Sequence, residues 1–353
     1  MIKDLFLLPH RRFNPLSGEF VLVSPQRVQR PWQGKSEKPE TINLTPYDPD
    51  CYLCPGNVRA NGERNPEYVG PFVFTNDYSA LLPDTIKGDW FPHPLLLAES
   101  ARGICRVLCF SPRHDLTLPE LRPEEIRAVI DLWSEQTTEL GECFRWVQIF
   151  ENKGAMMGCS NPHPHGQVWA GDFLPNEILR EDHRQRIYWQ EYQQPMLMDY
   201  AAFELECGER LVEENKHWLA VVPFWAIWPF EILLLPKRHV LRLPDLEGCE
   251  RDSLAQLLKD VLTRFDNLFK VSFPYSMGWH GAPFHHGKEE GRSMVSWQLH
   301  GHIYPPLLRS ATVKKFFVGY EMLAEAQRDI TAESAAENLR NQRTIHYKAW
   351  MGE

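Results

Sequence analysis

Two stretches of this chain share one pattern of residues, and together they limit the fold more than any other feature. The first runs Arg106-Val-Leu-Cys-Phe-Ser-Pro-Arg-His114-Asp-Leu-Thr-Leu-Pro-Glu-Leu121. The second runs Glu231-Ile-Leu-Leu-Leu-Pro-Lys-Arg-His239-Val-Leu-Arg-Leu-Pro-Asp-Leu246. In each, an apolar strand meets a proline, then a basic residue followed by histidine, then a Leu-x-Leu-Pro-acid-Leu exit. The spacing predicts a helix after each. The first places Ile126, Val129, Ile130, Trp133 and Leu140 on one face. The second does the same with Leu254, Leu257, Leu258, Val261, Leu262, Phe265 and Phe269. Both read as core faces. After each helix comes a strand and a His-x-His, His163-Pro-His165 and then His300-Gly-His302. A strand–helix–strand–loop unit repeated at roughly 130 residues is an internal duplication and not a solenoid. Hairpin-type turns and one long helix per half favour an α+β fold with a mainly antiparallel sheet over a doubly wound one.

The rest of the chain fits around these halves, which we divide as residues 1–172 and 173–353. Asn14-Pro-Leu-Ser-Gly18 predicts a turn before a strand at Glu19–Ser24, and Phe72-Val-Phe-Thr predicts a short strand ending at Asn76 and Asp77. Residues 172–200 read as one long amphipathic helix linking the halves. Residues 312–321 read as strand-like, 322–327 as helical, and Thr331 to Arg343 as a terminal helix.

A chain of 353 residues with 43% hydrophobic and 24% charged residues is an ordinary globular one. A net charge of −9 argues against a general nucleic-acid binder, which carries a basic footprint. The N-terminus has no apolar core or small-residue cleavage site, so we expect no signal peptide. The longest apolar run, Trp218 to Phe230, is broken by Pro223 and Pro229 and is too short to span a bilayer. Eight cysteines without a secretory signal point to a reducing cytoplasm, where Cys-x-x-Cys more often means metal or redox than a structural bridge.

Chemistry concentrates in Glu151-Asn-Lys-Gly-Ala-Met-Met-Gly-Cys-Ser-Asn-Pro-His163-Pro-His165-Gly-Gln167-Val-Trp169. Histidines at i and i+2 share one side of an extended segment. Gly154 and Gly158 let backbone approach a ligand. Asn152, Ser160 and Asn161 offer donors for phosphate oxygens. Pro162 and Pro164 stiffen the approach. A neutral imidazole here can attack phosphorus. The alternative is a polar loop with two surface histidines. Cys51-Tyr-Leu-Cys54 is half of a zinc knuckle, and His114 and His163 can complete a Cys2His2 set. Glu181, His280, His300 and His302 suit Fe²⁺ or Zn²⁺, or are hydrogen-bonded histidines beneath a sheet. Arg27 and Arg30 are either solvated charge or a phosphate-binding pair. His285-His286 read as a solvated loop.

Gly158-Cys-Ser-Asn-Pro-His163-Pro-His165-Gly-Gln167-Val-Trp169 resembles the active-site signature of the galactose-1-phosphate uridylyltransferase family, in the histidine-triad superfamily. Gly278-Trp-His280-Gly-Ala-Pro and His300-Gly-His302-Ile-Tyr-Pro-Pro-Leu-Leu-Arg-Ser-Ala-Thr resemble its second half, and the likeness covers nearly the whole chain. Hydrolases of the superfamily carry a third histidine where this chain has Gln167. One departure is the loop from His285 to Ser296, longer and more charged than the family leads one to expect.

The resemblance implies duplicated histidine-triad-like halves forming a half-barrel sheet flanked by helices. It implies transfer of UMP from UDP-glucose to galactose 1-phosphate in the Leloir pathway of galactose metabolism, with His165 as nucleophile and Gln167 and Ser160 stabilising the phosphoryl group. It implies that Asn76, Asp77, Asn152, Gly158 and Cys159 line the nucleotide site. Arg27, Arg30, Lys315, Phe316, Tyr320, Glu321 and Gln327 match positions that reach substrate from the other subunit of a homodimer. Cys51, Cys54, His114 and His163 match the family's zinc set, and Glu181, His280, His300 and His302 its iron set, which a second Zn²⁺ also suits. No nucleic acid or membrane partner is expected. A dinucleoside-tetraphosphate phosphorylase is the alternative among enzymes. A zinc-stabilised nucleic-acid or partner-binding module is the alternative outside them.

Overall fold

In the computed structural model, which describes residues 5–29, 44–285 and 293–350, both halves enter one open sheet. The first half supplies β1 (His10–Asn14), β2 (Glu19–Val23), β3 (Phe72–Thr75), β4 (Asp89–His93), β5 (Leu96–Glu99), β6 (Gly103–Cys109), α1 (Pro123–Gly141), β7 (Trp146–Lys153) and β8 (His165–Gly171). Two helices follow, α2 (Asn176–Tyr192) and α3 (Met196–Cys207). The second half supplies β9 (Leu211–Glu214), β10 (Trp218–Val221), β11 (Ile232–Pro236), α4 (Gly248–Phe269), β12 (Tyr275–His280) and β13 (His300–Tyr304). The C-terminal segment holds α5 (Tyr320–Leu323), β14 (Gln327–Arg328), α6 (Ala332–Arg340) and α7 (Tyr347–Trp350).

The strand order is β3-β6-β8-β7-β12-β13-β11-β10-β9, antiparallel throughout. Read outward from the β7–β12 seam, β7-β8-β6-β3 repeats as β12-β13-β11-β10. The duplication is therefore visible in the strand order. The α+β expectation holds, with α1 and α4 packed side by side on one face.

Alternation along the strands explains the layers. In β7, Val147, Ile149, Glu151 and Lys153 are buried while Gln148, Phe150 and Asn152 are half-buried on the other side. The buried face meets Ile126, Val129, Ile130 and Trp133 of α1, and Leu254, Leu258, Val261 and Phe265 of α4. Pro123 opens α1, and the Glu125 carboxylate accepts from the Arg122 amide at 2.8 Å. Glu250 closes the start of α4 in the same way, on the Glu247 amide at 2.7 Å.

The opposite face is covered at β6 by Leu53 and Cys54, which pack on Val107 and Cys109, and over the second half by α3. There Met196, Leu197 and Ala201 of α3 pack on Leu219, Val221, Leu233 and Leu235. Ile232 and Leu234 of the same β11 face the other core. A strand buried on both sides has no reason to alternate, which accounts for its unbroken apolar sequence. Among the described residues no helix covers this face over β7 and β8.

Several sequence expectations change. The linking segment is two helices and not one: Gln193 adopts a left-handed conformation at φ 57° and Pro195 starts the next helix. Residues 312–321 form no strand; their only ladder contact among described residues is the isolated bridge of Leu307 with Lys314. Gln327 is not helical but pairs in parallel with Leu22 through β14, so a long-range partner overrides local propensity. The terminal helix is shorter than expected, ending at Arg340, with Thr331 Oγ1 accepting from the Ser334 amide at 3.2 Å. Of the pair read as a solvated loop, His285 is half-buried, with Nε2 2.8 Å from Met294 Sδ. His286 to Arg292 lie outside the described residues.

A buried ionic cluster ties the first hairpin to the C-terminal segment. Arg12 holds Glu333 by two bonds of 3.0 Å, and Arg210 bridges Glu333 at 3.0 Å and Glu204 at 2.7 Å. Burial would raise the Glu333 carboxyl, but Arg12 and Arg210 bring it down to about 2. Glu204 is 0% exposed. Replacing Arg210 by Met strands that carboxylate, so unfolding free energy should fall by about 3–5 kcal/mol in urea titrations. A loss below about 1 kcal/mol would show that Glu204 does not depend on Arg210.

Candidate active site and metal clusters

The open face of β7 and β8 holds a cleft of about 320 Å³, lined by Phe150, Asn152, Gly158, Cys159, Ser160, His165, Gly166 and Gln167. The pleat puts His165, Gln167 and Trp169 on this face and Gly166, Val168 and Ala170 on the other. Gly166 is required by close packing, since a Cβ there would lie 2.9 Å from the Phe110 ring and the Phe150 carbonyl oxygen. A positive φ at Gly158 (80°) ends the tight turn over Ala155–Met157 and turns Cys159 and Ser160 into the cleft.

His165 Nδ1 donates to the His163 carbonyl at 2.8 Å. That bond leaves Nε2 as the basic ring nitrogen. Burial lowers the imidazole below its ordinary range, and the carbonyl contact restores only part of it. The ring is thus neutral at physiological pH. Around it stand amides and hydroxyls. Ser276 Oγ lies 2.7 Å from Asn152 Oδ1, and the indole N–H of Trp169 donates to Gln167 Oε1 at 2.9 Å.

The structure revises how the two His-x-His motifs correspond. His300 opens β13 as His165 opens β8, and its Nδ1 meets the carbonyl two residues back, Gln298, at the same 2.8 Å. Gly301 lies under Trp279, where a Cβ would come within 2.9 Å of the ring. His165-Gly-Gln167 is therefore the counterpart of His300-Gly-His302, and His163 is the counterpart of Gln298. The equivalent faces have different neighbours. α2 covers the second and brings Glu181 over it, while the first remains open.

Two buried clusters have the donors a metal needs. Cys51, Cys54, His114 and His163 place their ligand atoms within 4.8 Å of one another, as do Glu181, His280, His300 and His302. In the first, Cys54 Sγ lies 3.5 Å from His163 Nδ1 and 3.7 Å from His114 Nδ1. His163 Nε2 is engaged by the Ser111 carbonyl at 2.9 Å, which turns Nδ1 toward the sulfurs. The Leu53 and Asn161 N–H groups point at Cys51 Sγ at 3.4 Å, donors that suit a thiolate. Without a cation, burial pushes the Cys54 thiol up to about 11 and the His163 imidazole down to about 4. In the second cluster, Glu181 accepts from His280 Nδ1 at 3.0 Å and stands 3.4 Å from His300 Nε2. Burial would raise the Glu181 carboxyl, yet His280 and His300 bring it well below its usual range. The ring nitrogens His300 Nε2, His302 Nδ1 and His302 Nε2 are buried without a hydrogen-bond partner. Buried polar atoms are rarely left so, and both donor sets fit a transition-metal ion.

The remaining sequence candidates divide. Asn76 and Asp77 follow β3 and do not line the cleft; the Asn76 amide donates to the Cys105 carbonyl at 2.9 Å, and Cys105 pairs with Trp169. Lys315, Glu321 and Gln327 gather in the C-terminal segment, and Arg27 reaches it from the end of the first hairpin. Arg27 pairs with Asp329 at 3.2 Å, and Lys315 Nζ meets the Glu321 carboxylate and the Gln327 carbonyl. Phe316 and Tyr320 are exposed beside them. None of these lines the cleft, and Arg30 lies outside the described residues. Sequence reading assigned nothing to Phe150, Trp169 or Ser276. The pleat of β8 could have flagged Trp169; Ser276 reaches Asn152 only through the seam, where the two are paired.

Family models described as galactose-1-phosphate uridyl transferase, N-terminal and C-terminal domains, match residues 2–175 and 181–351. The chain belongs to the galactose-1-phosphate uridylyltransferase family. A family member from Haemophilus influenzae is 58% identical over 340 residues, 96% of each chain. One from Rattus norvegicus is 57% identical over 339 residues, 96% of this chain and 89% of its own. A solved uridylyltransferase superposes with a TM-score of 0.73 at 26% identity, covering 94% of this chain and 97% of the other. An ADP-glucose phosphorylase from Arabidopsis thaliana, solved with ADP-glucose, shares the fold at a TM-score of 0.73 and 21% identity, over 95% and 99% of the two chains. No helix among the described residues is long and apolar enough to cross a membrane.

Behind the cleft, Glu151 accepts from the Tyr275 hydroxyl at 3.0 Å, and burial pushes its carboxyl up to about 7 against the pull of Lys153. Between 4.5, its ordinary value, and 7 the folded protein keeps a proton that the unfolded chain releases. Stability is therefore lost as pH rises through that window. Glu151→Gln keeps an acceptor for Tyr275 and has no proton to lose. Its stability relative to the parent should rise by about 3 kcal/mol from about pH 4.5 to about pH 8. Parallel pH profiles of the two urea midpoints would refute this.

Proposed function

We propose that this protein is a uridylyltransferase that moves UMP from UDP-glucose to galactose 1-phosphate through a covalent uridylyl-histidine at His165. One observation carries the reading: a neutral imidazole, tethered through Nδ1 to the His163 carbonyl, presents Nε2 in a cleft lined by the amide and hydroxyl groups of Asn152, Gln167 and Ser160. Nε2 attacks the α-phosphorus of UDP-glucose, the N–P bond forms, and the P–O bond to glucose 1-phosphate breaks. A phosphate oxygen of galactose 1-phosphate then attacks the same phosphorus, and His165 leaves as the free imidazole. Each half inverts phosphorus, and the sequence is ping-pong. Gln167 and Ser160 donate to the oxygens on which charge develops. Unlike a histidine, Gln167 offers no proton and activates no water.

Asn76, Asp77, Asn152, Gly158 and Cys159 take the nucleotide in this reading. Arg27, Arg30, Lys315, Phe316, Tyr320, Glu321 and Gln327 act on the partner's cleft in a homodimer. Two features support this. The described members of that set lie outside their own chain's cleft, and the β4–β5 hairpin exposes Trp90, Phe91, Leu95, Leu96 and Leu97 as a surface suited to burial between subunits. The halves 1–172 and 173–353 are the duplicated units, and the setting is cytoplasmic galactose metabolism by the Leloir pathway. Cys51, Cys54, His114 and His163 would hold Zn²⁺, and Glu181, His280, His300 and His302 would hold Fe²⁺ or a second Zn²⁺. When bound, such ions cross-link chain segments and take no part in transfer.

Intact-mass spectrometry after mixing with UDP-glucose alone should show a gain of one UMP, reversed by galactose 1-phosphate and absent in His165→Gly. No adduct with UDP-glucose, together with one from an adenine dinucleotide, would assign a different nucleotidyl transfer. Cys51→Ser should lower the melting temperature and zinc content far more than the turnover of the protein that stays folded. Full zinc content with an unshifted melting temperature would contradict the structural role.

A further inference from the structure

We propose that Trp169 is a positioning residue for the transfer: its indole N–H holds the Gln167 carboxamide with the NH2 group, and not the oxygen, toward the phosphoryl group. This rests on the uridylyl-transfer reading above.

A glutamine amide has an acceptor end and a donor end, and turning it by half a rotation barely changes its shape. At a phosphoryl group the two orientations are opposites. The NH2 end donates to a phosphoryl oxygen, whereas the carbonyl end repels it. Something must break this near-degeneracy. The indole Nε1–H can only donate, so the amide atom 2.9 Å away must be an acceptor, Oε1. With Oε1 engaged, Nε2 is the end left for the cleft that Gln167 lines. Ser276 does not impose the same choice on Asn152, because a hydroxyl 2.7 Å away can donate or accept.

The indole is itself held in place. Trp169 lies two residues beyond Gln167 on the same face of β8, next to the cleft and not in its lining. Its ring meets Phe150 edge to face, with centroids 5.7 Å apart at 78°. Phe150 in turn pairs with Gln167 across β7 and β8. One strand face thus carries the nucleophile, the amide donor and the residue that orients that donor, in steps of two.

The test is a double-mutant cycle read by the single-turnover rate of UMP loading from UDP-glucose. Trp169→Phe keeps an aromatic ring against Phe150 and removes the N–H together with part of the ring, and the second background separates the two losses. In the parent background it should slow loading about tenfold, the value of one well-placed hydrogen bond, with little change in the KM for UDP-glucose. In the Gln167→Ala background the same substitution should change the rate less than about twofold, because no amide remains to be oriented. Equal slowing in both backgrounds would make Trp169 a packing residue and overturn the proposal, as would unchanged loading in the parent background. A parent protein that never loads UMP would instead refute the transfer reading, which separates the two failures. A readout free of turnover comes from the indole N–H resonance that disappears in Trp169→Phe. It should move upfield in Gln167→Ala, and a resonance that does not move would show that the bond is absent.

Discussion

The ladder between β7 and β12 joins the halves of this molecule, and the surroundings of the cleft depend on it. It pairs Lys153 through Ile149 with Tyr275 through Trp279 and so makes one sheet of two copies. Across it Ser276 meets Asn152, and the Tyr275 hydroxyl meets Glu151. Gly278 is small because a Cβ there would approach the Ile149 carbonyl oxygen to 3.0 Å. The first half's cleft is thus partly shaped by the second half. Because each strand alternates its faces, the same ladder that sends Ile149 and Met277 into the α1/α4 core sends Asn152 and Ser276 outward.

The duplicated motif shows how one local geometry acquires two fates. In both copies a histidine opens a strand, donates Nδ1–H to the carbonyl two residues earlier, and is followed by a glycine pressed against an aromatic ring. Each is thereby left with Nε2 pointing away from its own backbone. Over the second copy, α2 brings Glu181 within 3.4 Å of that nitrogen, and His280 and His302 complete a metal-type donor set. Over the first copy there is no such helix among the described residues. The nitrogen faces a cleft with amides and a hydroxyl and no carboxylate in its lining. Cover is the difference between them.

A good part of this was legible in the chain. The repeated strand-Pro-basic-His segments pointed to a duplicated unit, and the strand order repeats about the β7–β12 seam. The faces of α1 and α4 followed from helical period, and Ile126 to Leu140 and Leu254 to Phe265 are buried as that period requires. Both metal-type sets were assembled from residue chemistry and family resemblance, and the fold brings the members of each within 4.8 Å. Less legible were features whose cause lies far away in sequence. β14 exists because Gln327 and Arg328 find Leu22 and Val23. The break at Gln193 falls where a left-handed residue and Pro195 let α3 turn back onto β10 and β11. His163 and His165 looked like a pair, but the rings serve different clusters: one is sealed against Cys54 and the other lines the cleft.

Sequence alone determined which groups are available: an imidazole two residues from an amide, two cysteines on a tight turn, and a carboxylate with three more histidines. It also determined the periodic faces that make burial favourable. Tertiary structure decided which copy of the motif a helix covers, which histidine is sealed against Cys54, and which histidines meet Glu181. Those properties depend on hydrogen-bond partners and exclusion of water set by strands far apart in the chain, and no local pattern of residues encodes them.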